Sequence, residues 1–274
     1  MNTPSRVATV PELNGDQRLG PRERLLYMWR NFLRNVRASR GGKSESFQPQ
    51  GLTAADIGER SPSRLLTEVF ISRELPRLVP PGPIEMLEIG CGSGSMMRRL
   101  AALGYSGSYT GVDIGDRFNP NHGTPFAATF VQSDAHLFVP ARTVTFLFSF
   151  SALEHIGNDQ TLIERLSACV GRGGAQMHIV PAAAGLFVYL LHGYRQYTPA
   201  GLSNRFGADA RFIRLGGAGT FVVHLLAITL PENILGLRFR KAFPSVYARL
   251  VLAGFALDRL LPIWPTALVA FKQH

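Results

Sequence analysis

From Pro21 onward, Leu25, Leu26, Met28, Trp29, Phe32, Leu33 and Val36 recur at a spacing near 3.6 residues, and Arg22, Arg30, Arg34, Arg37 and Arg40 fill the rest of the surface. That pattern predicts a basic amphipathic helix over residues 21–41, opened by a proline whose missing N–H is no loss at the first turn and closed by Gly41-Gly42. Residues 1–20 mix Pro, Asn, Gly and charge without periodicity and read as disordered, and polar residues 43–60 read as a linker. Ser61-Pro62-Ser63 then opens a second helix through Leu65, Leu66, Val69, Phe70 and Leu75, stopped by Pro76 and Pro80-Pro81.

After this point short β-rich runs alternate with helical patterns. Strands are predicted over residues 84–88, 108–113, 128–132, 144–150 and 175–180, with helices over 95–103 and 160–169. Such alternation implies right-handed crossovers, hence an α/β fold with a mostly parallel, doubly wound sheet covered on both faces. Residues 211–215 add a sixth strand, and 267–272 a seventh, antiparallel at an edge of the sheet. Residues 216–265 are too many for a loop and are broken by Pro231, Pro244 and Pro262, so an inserted helical subdomain is expected over about 217–262. The organisation expected is an N-terminal extension, 1–60, followed by one domain, 61–274.

The formal charge of +10, much of it from arginines before Gly41, favours anionic partners without selecting among them. Cys91 and Cys169 are too few for a disulfide framework or a four-cysteine metal site, which favours a reducing compartment. Residues 1–20 lack the apolar core of a leader, and the apolar stretches at 182–191, 221–230 and 250–257 fall short of the ~20 residues that span a bilayer. A cytoplasmic protein is expected, with peripheral contact at the inner face of a membrane as an added reading.

Candidate chemistry begins where strand 84–88 runs into Gly90-Cys91-Gly92-Ser93-Gly94 and a helix. Glycines let backbone approach a ligand, and the helix N-terminus offers free N–H groups. The spacing is G-x-G-x-G, with Ser95 where a dinucleotide fold wants its third glycine, and no Gly-Lys-Ser/Thr follows. Glu88 at the strand end would repel a pyrophosphate but suits an ammonium, so an amino-acid-bearing cofactor fits best. Glu88 to Gly94 resembles the first motif of the class I S-adenosylmethionine-dependent methyltransferases, and the likeness extends more loosely over 61–215 and 267–272. It implies that Glu88, Gly90, Cys91, Gly92 and Gly94 wrap the methionine part of the cofactor. Tyr109-Thr110-Gly111-Val112-Asp113 resembles the next motif, in which Asp113 receives the ribose hydroxyls and Ile114 flanks the adenine. Phe130-Val131-Gln132-Ser133-Asp134-Ala135 resembles the third, where Asp134, beside Ala135, accepts from the adenine amino group.

Ser151-Ala152-Leu153-Glu154-His155-Ile156 resembles the Leu-Glu-His stretch of small-molecule and lipid-intermediate methyltransferases of this class. Several members carry Glu-x-x-Glu-His and hold a divalent metal with it and a later histidine. Ser151 stands at the first of those positions here, so no metal is expected. His155, with Glu154 beside it, is the candidate catalytic base for an acceptor hydroxyl, against the plainer role of orienting a loop. His178 inside a strand reads as buried and hydrogen-bonded. The stretch from His192 through Tyr194, Arg195, Tyr197 and Thr198 resembles one in related enzymes and either binds the acceptor or packs a helix. The function expected is O-methylation of a small-molecule, glycan or lipid-linked acceptor, with residues 21–41 either making peripheral contact with an anionic membrane or packing on the catalytic domain or a second subunit. RNA methylation is a second reading, supported by charge but lacking an RNA-binding module. A non-catalytic binding protein is the third.

Overall fold

The computed structural model describes residues 12–38, 42–119 and 123–274. Its sheet holds every expected strand, each within a few residues of the predicted bounds, and one more. In chain order the elements are α1 (Pro21–Arg37), β1 (Glu45–Phe47), α2 (Ala54–Ile57), α3 (Pro62–Arg73), α4 (Leu75–Leu78), β2 (Pro83–Ile89), α5 (Ser95–Ala102), β3 (Ser106–Asp113), β4 (Phe126–Gln132) and β5 (Val144–Phe150). There follow α6 (Asp159–Ser167), β6 (Val170–Pro181), α7 (Gly185–Tyr189), α8 (Pro199–Phe206), β7 (Arg211–Leu215), α9 (Ala218–His224), α10 (Phe239–Ala242), α11 (Pro244–Leu260) and β8 (Ala267–Gln273).

The sheet order is β1-β7-β8-β6-β5-β2-β3-β4, parallel except for β8. Two expectations change. The linker reading of 43–60 fails because Glu45–Phe47 pairs in parallel with β7 and adds an eighth strand. Three residues are too short to show an alternating pattern. The antiparallel strand β8 lies between β6 and β7 rather than at an edge, a position fixed by its pairing on both sides: Met177 with Phe271 and Ile213 with Val269.

Side chains alternate across the sheet, so β5 sends Phe146 and Phe148 to one face and Leu147 to the other. The first face packs Leu66 and Phe70 of α3 with Tyr109, Met177 and Val269, and the second packs Leu162 and Leu166 of α6 with Ile89, Val180 and Leu268. Burial on both faces is why these strands read as nearly continuous apolar runs.

Between β7 and β8 the chain is helical: α9, then π-helical turns over Leu225–Ile234 containing Pro231, then α10 and α11. These helices are not set apart from the sheet, since Tyr247, Val251 and Phe255 of α11 belong to the same core as Phe70 and Val269. Gly219 of α9 and Gly254 of α11 meet backbone to backbone, and a Cβ on Gly219 would lie 2.2 Å from the Gly254 carbonyl oxygen.

Candidate active site

The sheet reverses direction of travel at β2, whose neighbours are β3 and β5, and a crevice opens at the carboxyl ends of such strands. There the chain turns through Gly90, Gly92 and Gly94, with φ of +72°, +54° and +77°. Gly90 is fixed twice over, by this left-handed conformation and by space, because a Cβ there would sit 2.3 Å from the Ala152 Cβ. Asp113, at the tip of β3, clamps the turn: its carboxylate accepts from Gly92 N and Gly115 N, both at 2.8 Å.

A cavity of about 400 Å³ follows the turn, lined by Gly90, Asp113, Ile114, Asp134, Ala135 and His155. The sequence-predicted cofactor residues thus meet in one place, apart from four. Gly92 and Gly94 shape the turn without lining the cavity. Cys91 is buried against Gly111, and burial pushes its thiol up to about 12, so only its backbone is available to a ligand. Glu88 lies beneath the turn, 4% exposed, and accepts from the Tyr109 hydroxyl. Burial is the main reason that its carboxyl is raised from 4.5 to about 8.

A second cavity, about 410 Å³, lies alongside and is lined by Ser63, Ser151, Glu154, Tyr189 and His192, among others. Ser151 faces both cavities and holds φ +51°, a strained conformation for a residue with a Cβ, at the end of β5. Next to it four ionisable groups close a ring. Asp16 Oδ2 lies 2.6 Å from His155 Nδ1, and Asp16 Oδ1 lies 3.7 Å from His192 Nδ1 and receives Gly193 N at 3.1 Å. On the other side Glu154 Oε1 lies 3.8 Å from His155 Nε2 and 3.6 Å from His192 Nε2.

Glu154 is fully buried, and neither of its oxygens has a hydrogen-bond partner among the described residues. The nearby carboxylate raises His192 above its usual value, against the opposing effect of burial. For Asp16, burial works upward, but the His155 and Gly193 hydrogen bonds outweigh it and hold the carboxyl low. Glu154, His155 and His192 also each offer a ligand atom within 4.8 Å of the others, so one carboxylate and two imidazoles could accept a cation even with Ser151 in place of a fourth ligand.

No local sequence pattern marks Asp16. It lies in a stretch expected to be disordered, yet Gly15 N donates to Gly193 O at 2.7 Å and Glu12 pairs with buried Arg195. The 192–198 stretch is mostly structural. Arg195 and Tyr197 are buried on Asp159, which also binds Arg205, while Tyr194 lines the first cavity and His192 the second one. His178 is buried with Nδ1 2.8 Å from Ser149 Oγ, and burial lowers it to about 3.

A family described as a methyltransferase domain matches residues 64–215. No curated protein sequence matches the chain. Among solved structures, the fold is similar to a sarcosine dimethylglycine methyltransferase so described from Galdieria sulphuraria (13% identity, TM-score 0.51, covering 76% of this chain and 85% of that one). It is also similar to an S-adenosylmethionine-dependent methyltransferase from Archaeoglobus fulgidus (16%, 0.50, 77% and 95%). A third is the mycolic acid cyclopropane synthase CmaA1 (15%, 0.50, 76% and 83%). A family match over more than half of the chain, laid on a sheet wound in this order, means that the protein belongs to the class I S-adenosylmethionine-dependent methyltransferases.

Proposed function

We propose that the protein transfers a methyl group to a hydroxyl oxygen of a small-molecule, glycan or lipid-linked acceptor held in the second cavity. The observation that carries this reading is the Asp16–His155–Glu154–His192 ring at the border of the two cavities, since an O-methyltransferase has a proton to remove and this is the group of bases placed to take it. The residues of the first cavity suit S-adenosylmethionine: the Asp113 carboxylate can take two vicinal hydroxyls, Asp134 can take an amino group, and a volume of about 400 Å³ suits a ligand of that class. When bound, the cofactor supplies an electrophilic methyl carbon on a sulfonium. The protein's own work is alignment, exclusion of water and handling of the proton.

His155 fits the role of base. Its Nδ1–H donates to Asp16, which leaves Nε2 with a free lone pair on the side facing Glu154. His192 fits the role of its partner on the acceptor side. The proton taken up then lies on a ring flanked by Asp16 on one side and Glu154 on the other. The test is His155→Gln in a methyl-transfer assay with labelled cofactor against lipid, glycan and RNA fractions of a cell extract. Turnover is expected to fall about 100-fold or more, with affinity for S-adenosylhomocysteine near wild type. Unchanged turnover removes His155 as the base, and label confined to RNA removes the acceptor class.

A further inference from the structure

Helix α1 is packed the wrong way round for a helix that serves the core. Its polar side faces inward: Tyr27, Asn31 and Asn35 are buried, Tyr27 OH donates to His192 O at 2.7 Å, and Asn35 Nδ2 donates to Ala183 O at 3.4 Å. Its apolar side faces outward, with Leu25 73%, Trp29 58% and Val36 50% exposed. An amphipathic helix normally buries its apolar stripe, and among the described residues nothing covers this one.

The apolar surface does not end at α1. Phe32 meets the exposed Phe187 of α7 edge to face at 6.5 Å, and α7 is in turn held to the Leu225–Ile234 helix by Thr229 Oγ1 donating to Val188 O at 2.7 Å. That helix exposes Leu226 and Leu230. Yet no helix of the described residues is long and apolar enough to cross a membrane.

The charge of this face narrows what fits it. On a helical wheel Arg22 falls within the apolar stripe of α1 and Arg30 and Arg37 along one flank, and none of the three meets a carboxylate among the described residues. The single acid of the helix, Glu23, is turned back to Gly20 N at 2.7 Å. A second copy of the chain placed symmetrically here would set arginine against arginine. An anionic bilayer surface would answer both the apolar stripe and the arginines, and exposed aromatic rings such as Trp29 and Phe32 are of the type that settles at such an interface.

We infer that α1, α7 and the Leu225–Ile234 helix form a docking face for a membrane carrying anionic headgroups. This rests on the methyl-transfer reading for its purpose and narrows its acceptor to an amphiphile drawn from the bilayer. The link is α7: Phe187 stands on the docking face, and Tyr189, two residues on, lines the second cavity beside His192.

The experiment is flotation of the full chain, loaded with S-adenosylhomocysteine, on phosphatidylcholine vesicles with and without phosphatidylserine. Binding is expected on the anionic vesicles, weakening with added salt. It is expected to drop about tenfold or more in Arg30→Glu/Arg37→Glu and in Leu25→Ser/Trp29→Ser, each with cofactor affinity intact. Quenching of Trp29 by brominated lipid, in a Trp264→Phe background, reports the same contact with the docking face unaltered. Failure to float on either vesicle, no quenching, or a chain whose dimer is split by the α1 substitutions would overturn the inference. Methyl transfer to a soluble acceptor is read separately, so the two proposals fail independently.

Discussion

Glu88 offers a test in which one proton decides stability. In the unfolded chain its carboxyl titrates near 4.5, and in the fold burial raises it to about 8. Below pH 4.5 both states hold the proton and the group contributes no pH dependence. Between 4.5 and about 8 the unfolded state releases the proton and the folded state keeps it, so stability falls as pH rises across that window. At about 1.4 kcal/mol per pH unit, the full gap sets a ceiling on the order of 5 kcal/mol above pH 8.

Replacing Glu88 by Gln keeps an oxygen that accepts from Tyr109 and removes the titration. The variant is therefore expected to be more stable than wild type by about 2–4 kcal/mol at pH 8, with the difference closing toward pH 4. Urea unfolding at several pH values measures it. The same change should weaken S-adenosylhomocysteine binding about tenfold if Glu88 serves the ammonium of the methionine moiety. A stability difference that does not depend on pH, or a variant weaker than wild type at pH 8, would refute the reasoning.

Asp16→Ala removes the acceptor that orients His155 and should lower turnover about tenfold or more and shift its pH profile, with cofactor affinity retained; kinetics across pH alongside calorimetry check both. Gly219→Ala drives a methyl into the Gly254 carbonyl and should cost about 2 kcal/mol, visible as a lowered midpoint in urea with little change in cofactor binding. A chelator should leave turnover unchanged, whereas micromolar Zn²⁺ should inhibit by occupying Glu154, His155 and His192. Activity abolished by the chelator would make a metal part of the reaction.

The sequence was most readable where a local rule governs. The glycine turn, the acids at strand tips and the parallel strands are set by backbone conformation and two-sided burial, which leave marks within a dozen residues. Gly90, Asp113 and Asp134 carry such marks, and one cavity is lined by all three. What pattern reading could not reach depends on partners far along the chain. Asp16 meets His155 across 139 positions, and three residues of β1 join a strand more than 160 positions away. Cys91 shows the same limit, because nothing in a glycine motif says which way its one large side chain turns. The apolar period of α1 was plain, but periodicity does not say which face meets the protein, and here it is Asn31 and Asn35 that do.

The residues ahead of the family match bear on how the molecule can be divided. The family match starts at residue 64, yet Asp16 stands in the ring of bases, Glu12 neutralises the buried Arg195, and β1 guards the outer edge of the sheet. A truncation placed at the family boundary would strip Asp16 from the two histidines it contacts, leave a guanidinium buried with one partner fewer and bare the edge of β7. The ring and the sheet edge are thus assembled from both sides of that boundary. Exchange of the N-terminal region among relatives would change the contacts of the histidine ring and the exposed apolar stripe of α1 together.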